Sequence, residues 1–188
     1  MARQIDSGYY ERLLLSNGKA PSAIESKDMT GVLRDMYMLE FLDLPEPYKE
    51  YDLKKAILKN MKKFLLEFGR DFIFIDEEYH VQVGNNDYYV DLLFYHRELQ
   101  CLVAIDLKID DFKPEYMGKM DFYLEALDRD IKKPHENPSV GMILCKNADT
   151  DVVEYSLSRS LSQTMIAEYK TKLIDKSIMQ RKLAELYD

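Results

Sequence analysis

The sequence predicts an α/β fold in which helices flank a central mixed β-sheet, and three observations predict it. Apolar residues recur at helical spacing over residues 52–68 and again after Pro114. Four short segments rich in β-branched and aromatic residues lie between these two helices, and another follows Pro138. The predicted order is therefore α-β-β-β-β-α-β, and 188 residues are enough to bury one core of this kind.

The first helix is predicted over residues 52–68, with Asp52 as its candidate N-cap and Gly69 as its stop. Its apolar stripe consists of Leu53, Ala56, Ile57, Met61, Phe64, Leu65 and Phe68. Residues 1–48 are predicted to form a helical N-terminal appendage or linker. The LPEP segment at 44–47 ends this region, because proline cannot continue a helix.

The main domain is predicted to span residues 49–170, and its sheet begins directly after the first helix. Its first four strands are predicted at 72–75, 79–83, 88–95 and 101–108. A turn of sequence GNND at 84–87 separates the second strand from the third. Residues 97–100, between the third and fourth strands, are short and polar enough for a hairpin connection.

The second half of the domain begins with an amphipathic helix that opens at Pro114. Its core stripe is predicted to be Met117, Met120, Leu124 and Leu127. A buried strand over 140–145, a helix near 151–160 and a short strand at 165–169 follow it. Residues 171–188 are predicted to form a polar C-terminal helix.

The net charge of −8 argues against a general nucleic-acid coat protein, because such proteins use Lys and Arg to displace counterions from phosphates. It leaves room for a metal-dependent enzyme, since carboxylates that hold a divalent cation carry negative charge that the metal neutralises. Five lysines crowd the outer side of the first helix: Lys54, Lys55, Lys59, Lys62 and Lys63. They indicate a solvated face, with a phosphate track as the alternative.

Neither a membrane span nor a signal peptide is indicated. No apolar run approaches the roughly 18 to 20 residues that cross a bilayer, and the start of the sequence lacks an apolar core. We therefore expect a cytoplasmic protein. Cys101 and Cys145 lie in apolar stretches without the paired spacing of a zinc site, so they are predicted to be buried reduced thiols.

The register of the two strands around the 97–100 loop can be predicted from their apolar alternation. Even positions are apolar in the first strand and odd positions in the second, so a four-residue loop makes Leu92 meet Ile105. The same register sets Asp91 directly opposite Asp106.

Two carboxylates that face each other on an apolar sheet repel, so the pair needs a cation. Lys108, two residues after Asp106 and on its face, supplies one positive charge, and a divalent ion with oxygen ligands is the natural second. A cluster of Asp91, Asp106 and Lys108 suits phosphoryl chemistry, because the metal polarises a phosphodiester while the lysine holds the phosphate or orients the nucleophile. A structural ion pair between Asp106 and Lys108 is the alternative that the residues leave open.

Asp91 followed by Asp106-x-Lys108 at the end of an apolar strand resembles the PD-(D/E)xK nuclease motif. Three longer segments are similar to the nuclease domain of the bacterial YhcG-like proteins: YYVDLLFYH at 88–96, FKPE at 112–115 and NPSVG at 137–141.

The likeness extends over about residues 37–169, and YERLLLS at 10–16 is similar to the linker of that family. It implies a restriction-endonuclease-like core and a Mg²⁺-dependent endonuclease that hydrolyses DNA. It also implies a further N-terminal domain upstream in the full-length protein, and it leaves homo-oligomerisation open. A catalytically weak or inactive module that binds nucleic acid or a partner protein is the alternative, motivated by the acidic charge and by two departures from the family pattern.

The resemblance implies roles for individual residues. Asp91 and Asp106 correspond to the metal-binding carboxylates and Lys108 to the catalytic lysine, while Glu67 matches a further metal-binding acid in the first helix. The first departure is Asp106 itself, which stands where the family usually has Glu. The second is Lys119, which stands where many relatives carry Gln and is either an auxiliary substrate contact or an exposed helix lysine.

Two tyrosines are candidate contacts for substrate bases. Tyr89 and Tyr95 share the predicted face of Asp91, whereas Tyr88 falls on the opposite, core-facing side. The histidines lack a second ligand at metal-binding spacing, so the sequence does not indicate a zinc site.

Overall fold

The computed structural model describes residues 32–172 of the chain. The predicted helical segment before residue 32 and nearly all of the predicted C-terminal helix over 171–188 lie outside the described residues. Within the described part, no helix is long and apolar enough to cross a bilayer.

A six-stranded mixed sheet forms the centre of the described domain, in the order β1-β6-β5-β4-β3-β2. The strands are β1 (Met36–Met38), β2 (Phe72–Val83), β3 (Asn86–His96), β4 (Cys101–Leu107), β5 (Val140–Cys145) and β6 (Thr164–Lys170). Neighbours from β1 to β4 in this order run parallel, whereas β4, β3 and β2 pair antiparallel. The fold is therefore the predicted mixed sheet, with one further strand at the β1 edge.

Four α-helices flank this sheet in the described chain: α1 (Glu50–Lys59), α2 (Met61–Phe68), α3 (Glu115–Ala126) and α4 (Thr150–Leu157). A 3₁₀ turn at Glu40–Leu42 follows β1, and a π-helical turn at Leu127–Ile131 extends α3. The predicted strand at 140–145, helix near 151–160 and strand at 165–169 are present as β5, α4 and β6.

Strand β1 contradicts the prediction that residues 1–48 are helical throughout. Met36–Met38 pairs in parallel with residues 168–170 of β6, and the Tyr37 side chain is fully buried. Pairing with a strand more than 130 residues away in the chain is a tertiary effect that local periodicity does not report.

The predicted single helix over 52–68 is two helices that meet at Asn60. The Asn60 side-chain amide donates to the Ala56 carbonyl at 3.0 Å, and such local side-chain bonds compete with the helical ladder. Asp52 is not the N-cap as predicted, because the helix begins at Glu50. Its carboxylate instead accepts from the Lys49 N–H at 2.9 Å, as an acid in the first turn of a helix does. Gly69 ends α2 as predicted.

Strand β2 joins the two strands predicted at 72–75 and 79–83. Its register with β3 shifts between Phe74 and Asp76, which is a bulge. The polar residues between the two predicted strands are exposed, and an edge strand tolerates them because one of its sides faces solvent.

The two faces of the sheet are covered by different helices. On one face Phe94 packs near Phe64 of α2, with 6.1 Å between ring centroids. On the other face Leu93 and Ala104 belong to the same buried cluster as Met120 of α3. Every residue of β4 is buried, as expected for a central strand covered on both sides.

Candidate active site

The β3–β4 hairpin positions the predicted carboxylates. Its register is the predicted one, with Leu92 opposite Ile105 and the connecting loop at residues 97–100. The paired ladder ends at Leu92 and Ile105, one residue before Asp91 and Asp106 would face each other. At that point the Asp91 side chain, through Oδ2, accepts a hydrogen bond from the Leu107 N–H at 2.9 Å.

Asp91 and Asp106 lie on the face of the sheet that α3 covers, because each is two residues from a residue of that face, Leu93 on β3 and Ala104 on β4. Burial raises the pKa of Asp91 to about 6, and the nearby charge of Asp106 adds to this rise. The hydrogen bond from Leu107 and the positive charges of Lys119 and Lys108 act in the opposite direction. The two carboxylates therefore interact with each other even where the backbone ladder has ended.

Two lysines hold the Asp106 carboxylate, which is only 2% exposed. Lys108 Nζ lies 2.7 Å from Oδ2, and Lys119 Nζ donates to Oδ1 at 2.8 Å. Although Oδ2 is within ion-pair distance of Lys108, it receives no well-directed hydrogen bond. Asp106 thus has one oxygen whose acceptor capacity is incompletely used.

Lys108 follows directly after β4 and is buried. Its backbone N–H continues the pairing with β5 by donating to the Leu144 carbonyl at 2.8 Å. Its ammonium donates to the Leu107 carbonyl at 3.2 Å, in addition to its contact with Asp106. These contacts hold the ammonium beside Asp106.

Sequence reasoning missed two neighbours of Lys108. The Tyr116 ring centroid lies 5.1 Å from its Nζ, and Glu50 Oε1 lies 3.9 Å from the same atom. The Tyr116 hydroxyl donates to the Asp110 carboxylate, which fixes the ring. The helical spacing of Tyr116 and Lys119, three residues apart on α3, is the signal that could have identified the tyrosine. Glu50 carries no comparable signal, because its approach depends on how α1 packs.

Lys119, for which the sequence left a substrate contact or an exposed helix position open, contacts the Asp106 carboxylate. Burial by itself lowers the pKa of Lys119, but the hydrogen bond and charge of Asp106 outweigh it and raise the pKa above its ordinary range. Its Nζ also lies 5.3 Å from the ring centroid of Tyr123, whose hydroxyl donates to the Tyr89 carbonyl at 2.7 Å. Lys119 is therefore a partner of Asp106 and not merely an exposed helix lysine.

Glu67 does not join Asp91 and Asp106, contrary to the expectation that it binds the same metal. Its Oε1 accepts from the Met38 N–H at 3.0 Å and lies 3.3 Å from the Arg34 guanidinium. Within residues 32–172 no three His, Cys, Asp or Glu side chains are grouped so that they could hold a metal ion. Glu67 is separated from Asp106 because it contacts β1, which lies three strand spacings from β4, or about 14 Å at ordinary strand spacing.

The two candidate substrate tyrosines differ in exposure. Tyr89 is 52% exposed and lies two residues before Asp91 on β3, about 7 Å along the strand. Tyr95 is partly buried against the core under α3 and lies about 13 Å from Asp91 along the strand. The exposure of Tyr89 permits contact with a substrate, whereas Tyr95 packs within the domain.

The donor set at this site suits a hard divalent cation. The Asp91 and Asp106 carboxylates offer oxygen ligands, and Oδ2 of Asp106 has unused acceptor capacity. Mg²⁺ commonly takes one or two protein carboxylates and completes its shell with waters and substrate phosphates. Two carboxylates are therefore enough for such an ion, although no third acidic side chain joins them among the described residues.

A mixed sheet that carries two carboxylates on adjacent central strands, with a lysine directly after one of these strands, suits a nuclease-like domain, and comparison with known proteins agrees. Residues 30–184 match the family described as the YhcG PDDEXK nuclease domain. This chain therefore belongs to that family of nuclease domains.

Among curated proteins, the chain is similar to "Putative nuclease YhcG" of Escherichia coli (strain K12). The two are 35% identical over 182 residues, which is 93% of this chain and 48% of the relative. The chain thus spans about half the length of this relative.

Two solved structures are also similar. A repair endonuclease from Pyrococcus abyssi matches with a TM-score of 0.43 and 16% identity, covering 68% of this chain and 49% of that one. EndoMS in its apo form matches with a TM-score of 0.42 and 13% identity, covering 70% and 49%.

Proposed function

We propose that this domain hydrolyses DNA phosphodiester bonds with the help of Mg²⁺ or Mn²⁺. The observation that carries the proposal is the juxtaposition of Asp91 and Asp106 on adjacent strands, with the Lys108 ammonium 2.7 Å from Asp106. Membership in a family of PDDEXK nuclease domains supports the reaction class.

The proposed roles follow from the contacts. Asp91 and Asp106 would hold the cation, which supplies Lewis acidity toward the phosphate and a lower pKa for a bound water. Lys108 would hold a phosphate oxygen or orient the attacking water, since its ammonium is already directed at the carboxylate pair. Glu50 and Tyr116 would position Lys108, because both lie beside its ammonium.

The reaction breaks one phosphorus–oxygen bond. Water oxygen attacks phosphorus, the bond to the leaving oxygen breaks, and the proton of the water passes to solvent or to a neighbouring base. The side chain of Asp91 must be ionised to bind the cation, and with a pKa of about 6 it is largely so above neutral pH.

The test is a cleavage assay with labelled double-stranded and single-stranded DNA in Mg²⁺, Mn²⁺ or a chelator. We expect cleavage that requires the divalent ion and is lost in Asp91→Asn, which keeps the shape of the side chain but not its charge. Asp130→Asn is the matched control, because Asp130 is exposed and lies in the π-helical turn after the end of α3, whereas Lys119 lies near the start of that helix. Cleavage that persists in Asp91→Asn, or that is lost equally in both variants, would contradict the proposed mechanism.

A second candidate function is binding without cleavage. The observation that favours it is the contact of Asp106 with two ammonium groups. Their positive charge neutralises the carboxylates, so the site does not need a metal ion for charge balance. In that case the wild type would retain DNA in a mobility-shift assay but show no divalent-ion binding in calorimetry.

The part of the longer relative that this chain does not match is a candidate source of DNA affinity. This chain has a net charge of −8 and corresponds to 48% of the Escherichia coli protein. We propose that the remaining region of such a protein contributes DNA affinity. A comparison of DNA binding by this chain and by a full-length relative, at equal salt, tests this idea.

A further inference from the structure

The two lysines that hold Asp106 differ in how firmly they are held. The Lys108 side chain is 10% exposed and has further contacts with the Leu107 carbonyl, Glu50 and the Tyr116 ring. The Lys119 side chain is 43% exposed and reaches Asp106 from α3. Lys119 can therefore leave Asp106 by rotating its flexible stem toward solvent, whereas Lys108 cannot leave without breaking several contacts.

We infer that Lys119 is an internal counter-ion that competes with a divalent cation for Asp106 and is released when the cation binds. The inference rests on the proposed metal dependence of the site. It goes beyond that proposal by assigning Lys119 the control of metal affinity.

Competition follows from the position of the ammonium. Lys119 Nζ lies 2.8 Å from Oδ1, so a divalent cation bound to the same carboxylate would meet a like charge at close range. The ammonium and the cation cannot both keep short contacts with this buried group at low energetic cost. Of the two ammonium groups on Asp106, Lys119 is the more exposed and has fewer other contacts, so we expect the bound metal to displace Lys119 and not Lys108.

The Tyr123 ring, next to Asp106, offers a second binding position for the Lys119 ammonium. The Tyr123 ring centroid is 5.3 Å from Lys119 Nζ, and the ring is fixed by the hydrogen bond of its hydroxyl to the Tyr89 carbonyl. A cation over an aromatic ring retains part of its stabilisation. The displaced Lys119 would remain near the site, where its charge is available to a phosphate oxygen of the substrate.

The consequence is coupling between metal and anionic substrate. The metal frees an ammonium that can bind phosphate, and a phosphate that binds this ammonium removes it from competition with the metal. Because coupling of two binding equilibria is reciprocal, each ligand should strengthen the binding of the other.

The experiment measures Mn²⁺ and Mg²⁺ binding by calorimetry in the absence of DNA, using the full chain. We compare the wild type with Lys119→Gln and with Lys119→Met, which removes any chance that a new amide oxygen binds the ion. Lys62→Gln is the matched control, since it removes the same charge from the exposed side of α2. We expect both variants at Lys119 to bind the ion about tenfold more tightly and the control to be unchanged, given the strength of a charge-assisted hydrogen bond.

Thermal unfolding of the metal-free proteins provides a second readout. The variants at Lys119 should unfold at lower temperature than the wild type, because Asp106 loses a partner, and added Mn²⁺ should stabilise them more than it stabilises the wild type. Equal or weaker ion affinity in both variants, with clear binding in the wild type, would overturn the inference and leave the proposed function intact. Absence of ion binding in the wild type and in both variants would overturn the proposed metal dependence together with the inference.

Discussion

The Asp91 carboxylate accepts a hydrogen bond from the Leu107 N–H at 2.9 Å, at the end of the β3–β4 ladder. A side chain thus accepts the hydrogen bond of this N–H at the point where backbone pairing of the two strands stops. The contact draws Asp91 toward the residue between Asp106 and Lys108. It therefore links Asp91 to Asp106 and Lys108 through the backbone of Leu107, the residue between them.

The pH dependence of stability should reflect the buried position of Asp91. Because its folded pKa is raised from 3.8 to about 6, the folded state binds more protons than the unfolded state in this range. The unfolding free energy of the metal-free protein should then fall as pH rises from about 4 to about 6, and this contribution should be constant above it. The expected loss is at most about 3 kcal/mol, since one pKa unit corresponds to about 1.4 kcal/mol.

Denaturant unfolding at several pH values, with Asp91→Asn as the comparison, measures this contribution. Asparagine can still accept from the Leu107 N–H but carries no charge, so the variant should be more stable than the wild type above pH 6 while losing cleavage. A variant less stable than the wild type at pH 8 would show that the ionised carboxylate stabilises the fold.

Replacement of Lys108 by Met should separate catalysis from metal binding. The variant loses the ammonium beside Asp106 but retains Lys119 as a partner of that carboxylate. We expect cleavage to fall by about a hundredfold or more, as for loss of a charged group that stabilises a transition state. Mn²⁺ affinity measured by calorimetry should not fall, and a parallel loss of affinity and cleavage would assign Lys108 a structural role.

Glu67→Ala should affect stability and not metal binding. The side chain accepts from the Met38 N–H and pairs with Arg34, so its removal leaves the end of β1 without an acceptor. We expect the unfolding free energy to fall by about 1 kcal/mol. Calorimetric Mn²⁺ affinity should equal that of the wild type. A loss of Mn²⁺ affinity like that expected for Asp91→Asn would show that Glu67 takes part in metal binding.

Gly141 should be essential to the packing of α3 against the sheet. A Cβ at this position of β5 would lie 2.5 Å from Met120 Cγ and 3.0 Å from Thr164 Oγ1. Gly141→Ala should therefore cost about 1–3 kcal/mol of unfolding free energy and move the helix that carries Lys119. Gly118→Ala on the same helix meets no atom within 4 Å and should stabilise by about 0.5–1 kcal/mol, which makes it the matched control in thermal unfolding.

The break at Asn60 and the continuity of β2 show where local pattern is insufficient. The apolar stripe continues across Asn60, so periodicity alone does not reveal that its side chain bonds back to Ala56. The polar residues after Ile75 suggested an interruption, yet pairing with β3 carries β2 through them. In both cases a contact that periodicity does not encode decides the element boundary.

The sequence by itself determined the register of the β3–β4 hairpin and the face that Asp91 and Asp106 share. These properties depend on strict two-residue alternation and on the length of one loop, which are local. Only the tertiary structure decided that Lys119 contacts Asp106 and that Glu50 and Tyr116 lie beside Lys108. It also decided that Glu67 contacts β1. Which helix face meets which strand depends on packing between segments far apart in the chain, and the spacing of residues within one helix does not contain that information.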